Sequence, residues 1–447
     1  MSNLKIPFKE ANIYLPNNNT DLSKWAVVAC DQYTSEPEYW NKAKEYIGES
    51  PSCLNLILPE IYLEDNNVEE LILDINKNMS KYLSNQVLKS TEKGFILVKR
   101  ICSDGKTRCG LIGCVDLEAY NFKKGSNSLI RATEGTVEDR LPPRVKIREN
   151  APLELPHIML LIDDEKRTVI EPLINKLSDF NLLYNFDLMM NSGHIEGRHI
   201  KDIKDITQIN NALTTLCDKT NFKNKYNLNE DLDVLLFAAG DGNHSLATAK
   251  VHWENIKSNL TADDTINHPA RYALVEIVNI HDEGLFFEPI HRVLFNVDIA
   301  DLTQKMNNYF TINSCSEISS NHLLDEYHKL NSSNNENYFQ TLFMSSENIN
   351  TKITIKNPPK NLTVGSLQAF IDSYISLHPS VKVDYIHGED VTIKLGQKKG
   401  NIGFLVPSMK KQELFKTVIL DGTLPRKTFS MGEASDKRFY IECRKIK

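Results

Sequence analysis

The residues best equipped for chemistry in this 447-residue chain lie in one hexapeptide, Gly240-Asp241-Gly242-Asn243-His244-Ser245. It follows an apolar run, Asp233 to Ala239, that reads as a buried strand, and it precedes a helical run through Leu246, Ala247, Ala249, Val251 and Trp253. Two glycines let the backbone turn sharply and let a ligand approach the main chain. The first N–H groups of the helix, at the positive end of its dipole, favour an anion. Ser245 brings a hydroxyl, Asn243 an amide, and His244 an imidazole that gives or takes a proton near neutral pH. Asp241 is placed to orient His244 or to hold a metal ion. A phosphate suits such a turn.

A helix terminus contributes only about 0.3–1 kcal/mol to holding an anion, up to ~2 when partly buried. Charge-assisted hydrogen bonds add ~1.5–3 kcal/mol each, so cationic side chains must converge on the turn. Arg140, Arg144, Lys146 and Arg148 form one basic cluster, and His291-Arg292 is a second source. Glu134 and Asp31, each beside small polar residues in a loop, are the candidate general bases. His194, His199 and His268 lack ligand-like spacing and read as structural, and Lys250 reads as pointing to solvent. The stretch Leu424 to Gly432 reads as a basic turn before a final strand over Phe439 to Arg444.

Strands and helices alternate around these residues, which predicts an α/β to α+β fold. Lys24 to Cys30 reads as a strand, followed by a helix start at Ser35 and Pro37. Leu71 to Leu83 carries a helical stripe, and Gly94 to Cys102 with Thr107 to Glu118 reads as a hairpin around Asp104-Gly105. After Pro142-Pro143 an extended chain would put Arg144, Lys146 and Arg148 on one side. His157 to Ile162 reads as a strand, Val169 to Phe180 as a helix, and Tyr184 to Met190 with His199 to Ile206 as a hairpin around Glu196-Gly197. The texture changes near Val297, giving a core domain over 1–297 and a smaller α+β domain over 298–447. The second domain contains an Asn/Ser-rich surface loop over 331–337, a helix near Leu367 to Leu377, and strands near Val381 to Ile386 and Ile402 to Val406.

Composition narrows the partners. Hydrophobic residues make up 41% and charged residues 25%, as in globular proteins. The formal charge of -7 argues against a nucleic-acid backbone as partner, since such proteins carry a basic surplus. No apolar run reaches the ~20 residues that cross a bilayer. The start, Met1 to Pro7, lacks a signal-peptide stretch, so a cytoplasmic location is expected. None of the eight cysteines forms a Cys-x-x-Cys pair, and free thiols are expected.

The motifs at Trp25 to Tyr33, Glu134-Gly135-Thr136 with Asp139-Arg140, Gly240 to Ser245, His291-Arg292 and Leu424 to Thr428 resemble those of the domain-of-unknown-function family 1015, over nearly the whole chain. That family looks related to the ParB-like superfamily, which includes sulfiredoxin and the free-serine kinases. The resemblance implies a mixed-sheet ParB-like core and a turn that cradles nucleotide phosphates. Here Asn243 and Ser245 stand where those proteins have His and Arg, so the phosphate clamp falls to Arg140 or Arg292, or the ligand differs.

The resemblance implies a small-metabolite phosphotransferase acting on free serine or phosphoserine, with ATP or ADP and Mg²⁺. His244, Asp241 and Glu134 (or Asp31 as base) would be catalytic, and Gly240, Gly242, Asn243, Ser245, Arg140, His291 and Arg292 would bind the cofactor. Two alternatives stand beside it: a ParB-like nucleotide-responsive module without turnover, and a metal-dependent phosphohydrolase using Asp241, His244 and His291. The expected partner is a small anionic or phosphorylated molecule.

Overall fold

The computed structural model describes residues 5–135, 141–332, 339–347 and 349–447. Arg140, and most of the Asn/Ser-rich tract after Ser332, lie outside the described residues. The chain is mixed α/β and divides into two units, Met1–Leu285 with Gly432–Lys447, and Phe286–Met431. The boundary expected at 297 falls at 285, because the strand Phe287–Phe295 pairs with Asn401–Leu405 and Lys382–His387. The carboxy-terminal segment, expected in the second domain, belongs to the first unit, where Phe439–Tyr440 pairs with Val27–Val28.

The first unit is built on a ten-stranded sheet. Its central strands run in the order 95–101, 107–116, 272–279, 159–162, 237–241 and 130–132. Met159–Ile162 is parallel to Tyr272–Asn279 and antiparallel to Phe237–Asp241, which in turn is parallel to Ile130–Ala132. Alternation along the strands supplies two apolar layers. Ile96, Val98, Ile112 and Leu274 face one core, with Trp25, Ile75 and Met79. Phe95, Leu97, Leu111 and Val275 face the other, with Phe237, Leu246 and Trp253.

Three local expectations are corrected. Leu141–Glu149 is a helix, not an extended segment, because Pro142 and Pro143 occupy its first turn, where a missing N–H costs nothing. The first hairpin has a longer loop than the two residues Asp104-Gly105: Cys102 donates to the Lys106 carbonyl, and Gly105 takes a φ of 81°. Ile101 therefore faces Thr107, and Cys109 faces Lys99. In the second hairpin, Asn181–Asp187 with His194–Ile200, Gly197 sits mid-strand opposite Tyr184. A Cβ there would come 2.1 Å from the Tyr184 ring, so this glycine serves a close approach, not a turn.

The second unit holds a seven-stranded sheet around Val293, Leu294, Phe343 and Phe404, with the helix Thr363–Leu377 among those packed on it. All eight cysteines are free thiols.

Candidate functional site

The strand Phe237–Asp241 is buried through Ala239 and emerges at Gly240 and Asp241. Gly242 then adopts a left-handed φ of 72° and caps the helix Asn243–Lys257, offering no side chain to close its first turn. A Cβ on Gly242 would lie 2.9 Å from the Ile158 Cα, so the turn rests directly on the backbone of the segment leading into the strand Met159–Ile162. Thr133 ties the other flank. Its hydroxyl donates to the Ala239 carbonyl at 2.6 Å, and its N–H donates to the Asn243 side-chain oxygen at 3.2 Å. Asn243 completes the clasp by donating to the Ala239 carbonyl at 3.1 Å. Glu134 follows Thr133 directly and so sits at the edge of the turn, half-buried.

A second imidazole, His157, which the sequence presents only as the start of a strand, reaches the turn from outside it. Its Nε2 lies 2.9 Å from the Ser245 hydroxyl, and its Nδ1 lies 2.8 Å from the Tyr440 hydroxyl. Asp31 Oδ2 stands 3.8 Å from the same Nε2. Pairing of Phe439–Tyr440 with Val27–Val28 brings Tyr440 beside the Cys30–Asp31 loop, and the Tyr440 hydroxyl accepts from the Cys30 N–H at 3.2 Å.

Lys437, also on the returning segment, places its Nζ 3.4 Å from Asp241 Oδ2. Burial pushes the Asp31 carboxyl up, but His157, its hydrogen bond with Gln32, and Lys437 outweigh it and hold Asp31 below the ordinary aspartate value. Asp31 is therefore ionised at neutral pH. Burial pushes the Cys30 thiol up to about 12, with Asp31 adding to it, so this cysteine is no nucleophile.

A cavity of about 150 Å³ opens beside this cluster. Ser245, Thr248, His157, Tyr440 and Cys30 line one part of it, and Leu56, Leu58, Met79 and Leu155 form apolar wall. Arg144 and Arg148 also reach it, from the helix Leu141–Glu149. The expected basic cluster is thus near the turn's helix, but each described member has an acidic partner: Arg144 with Glu60, Lys146 with Glu69, and Arg148 with Glu154. Lys250 is corrected too. It donates to the Leu117 carbonyl and pairs with Glu254 instead of pointing freely to solvent.

His244 is half-buried on the first helical turn, and its carbonyl accepts from the Thr248 hydroxyl. His291 and Arg292 belong to the second unit, and both are fully buried there. His291 Nδ1 accepts from the Val406 N–H, while Arg292 donates to Gln368 and to the Ile290 and Arg426 carbonyls. The bond to Arg426 joins Arg292 to the Leu424–Gly432 stretch. Asp241, His244 and His291 are thus not assembled within one unit. Among the described residues, no group of three or more His, Cys, Asp or Glu is arranged to hold a metal ion.

His157, Lys437 and Tyr440 are the residues beside the turn that sequence reasoning misses. No spacing signal marks them, because strand pairing and a returning tail bring them to the turn from positions far along the chain.

A family model matches residues 7–374. The chain belongs to the family described as Protein of unknown function (DUF1015). No curated protein matches this family member. Among solved structures, it is similar to a free serine kinase variant in complex with AMP, at 10% identity and a TM-score of 0.37, covering 74% of this chain and 91% of that one. A conserved hypothetical protein from Pyrococcus furiosus aligns at 10% identity and a TM-score of 0.32, covering 73% and 90%. A free serine kinase variant in complex with ADP aligns at 9% identity, a TM-score of 0.37, and coverage of 74% and 91%. With likeness at that level, the chemistry has to be read from this family member's own residues. No helix among the described residues is long and apolar enough to cross a membrane.

Proposed function

We propose that this protein transfers a phosphoryl group to or from the hydroxyl of a small metabolite, free serine or phosphoserine being the leading case, on a ParB-like core. The observation that carries this reading is that an ionised carboxylate, Asp31, and a lysine, Lys437, reach the two ends of the turn, Asp31 through His157 beside Ser245 and Lys437 at Asp241. The open first turn and Lys437 supply donors and positive charge to phosphate oxygens. Asp31, 3.8 Å from His157, accepts the proton of the attacking hydroxyl, and His157 with Ser245 and Tyr440 gives that proton a route away. Glu134, at the turn's edge, is the second carboxylate beside the turn.

Nucleotide with Mg²⁺ fits these residues. Magnesium is held through one or two carboxylates plus the phosphates themselves, and Asp241, in the turn itself, is such a carboxylate. When bound, the metal would offset phosphate charge. Of the two arginines first expected to clamp the phosphates, Arg140 lies outside the described residues and Arg292 is engaged inside the second unit; this reading gives the task to Lys437 and the turn.

Calorimetric titration with ADP and Mg²⁺ tests the seat. Wild-type protein is expected to bind, and Lys437→Ala is expected to bind about ten- to a hundred-fold more weakly, the worth of one charge-assisted contact. Equal affinity in the two proteins would remove Lys437 and the turn from the phosphate site.

A further inference from the structure

The cavity beside His157 carries a charge imbalance at its other wall. Glu154, a buried carboxylate, accepts from Arg148 and Arg444 together and from the Leu274 N–H at 2.8 Å. Two guanidinium groups thus share one carboxylate, leaving one positive charge. Arg444 has its nitrogens engaged, on Glu154 and on the Pro269 and Tyr272 carbonyls. Arg148 does not. Its Nε is buried and has no hydrogen-bond partner, and Arg148, unlike Arg444, lines the cavity. The nearby His252 is held neutral, pushed down to about 4 by burial and then by Arg148, so it neither adds to nor cancels the surplus. Arg144, on the same wall, is matched by Glu60.

A guanidinium that shares its carboxylate partner with a second arginine, at the edge of a small, largely apolar chamber, brings positive charge in excess of the buried negative charge and is a carboxylate-binding element. Volume sets the rest: a cavity of about 150 Å³ holds a ligand the size of benzene, roughly six non-hydrogen atoms.

We propose that this cavity is the acceptor pocket and that its ligand is a short hydroxy acid or hydroxy amino acid. The carboxylate sits on Arg148, a short carbon chain lies against Leu58, Met79 and Leu155, and the hydroxyl reaches the Ser245–His157 end, where His157 stands 3.8 Å from Asp31. This assignment rests on the phosphoryl-transfer reading for what happens to the hydroxyl, but not for carboxylate binding itself.

The test measures binding without nucleotide, by calorimetry, of L-serine, L-threonine and 3-hydroxybutyrate, each against its neutral carboxamide. Wild-type protein is expected to bind at least one acid ten-fold or more tightly than its amide. Arg148→Gln is expected to weaken acid binding about ten- to a hundred-fold and to leave amide binding unchanged. Lys146→Gln, on the same helix but paired with Glu69 at the surface, is the control and is expected to bind as wild type. Acid and amide bound equally by wild type, no acid bound at all, or full acid affinity in Arg148→Gln would each overturn the assignment. If Arg148→Gln fails to fold, the acid-against-amide comparison in wild type decides alone. Carboxylate binding without phosphoryl transfer would sink the transfer reading and keep the pocket; transfer to amides as readily as to acids would do the reverse.

Discussion

Replacing Gly242 with Ala probes the turn on which the site depends. A left-handed φ of 72° costs a residue with a Cβ about 1–2 kcal/mol. The added methyl would also come 2.9 Å from the Ile158 Cα, a backbone atom of the segment leading into the strand Met159–Ile162, and cannot be relieved by a rotamer change. Overpacking of that kind adds about 1–3 kcal/mol, so the total is roughly 2–5 kcal/mol. Gly105 supplies the control, because its φ of 81° carries the same conformational cost with nothing within 4 Å of where the methyl would sit. Gly105→Ala should lose about 1–2 kcal/mol only. For a unit of this size a loss of 1 kcal/mol lowers Tm by about 2 °C, so scanning calorimetry should show drops of about 4–10 °C for Gly242→Ala and about 2–4 °C for Gly105→Ala. The Gly242 variant should also lose affinity for ADP, since the shift displaces the helix start. Equal losses of stability in the two variants would refute the close approach and, with it, the rigid seat.

Other predictions follow from neighbouring groups. Burial, then Arg292 and His387, push His291 down to about 3, below its ordinary value of 6.5. The unfolded chain therefore takes up a proton that the folded second unit refuses: stability is complete above pH 6.5 and falls by about 1.4 kcal/mol per unit as pH drops toward 3. Urea unfolding at about pH 7 and about pH 5 should show this loss, and His291→Gln should remove the histidine's share of it; an unchanged slope in the variant would refute the assignment. Tyr440→Phe leaves His157 Nδ1 without its 2.8 Å partner and should cost about 1–3 kcal/mol by denaturant titration. It should also shift the pH profile of transfer, which a purely packing role for the tyrosine would leave in place.

Much of the fold was legible because burial writes itself as periodicity. The unbroken apolar run before Gly240 and the stripe through Leu246, Ala249 and Trp253 mark the strand, turn and helix, and the Gly-Asp-Gly sequence marks the turn between them. The errors came where glycine and proline have two uses. Gly197 admits the Tyr184 ring where a turn was expected, and Pro142-Pro143 open a helix where an extended chain was expected. The site was legible by half. Gly242, Asn243 and Ser245 announce themselves by spacing, whereas His157, Lys437 and Tyr440 enter through pairing that no local pattern encodes. His291-Arg292 look like ligands in sequence because charge in an apolar strand is conspicuous, yet they are engaged within the second unit.

The most direct test follows transfer of the γ-phosphoryl group of labelled ATP to L-serine in the presence of Mg²⁺, with Asp31→Asn measured beside wild type. Wild type is expected to place label on the serine hydroxyl, and Asp31→Asn to do so about 10²–10⁴-fold more slowly while ADP binding is not weakened. Transfer undiminished by the substitution would contradict the role given to Asp31 and the phosphoryl-transfer site built around it.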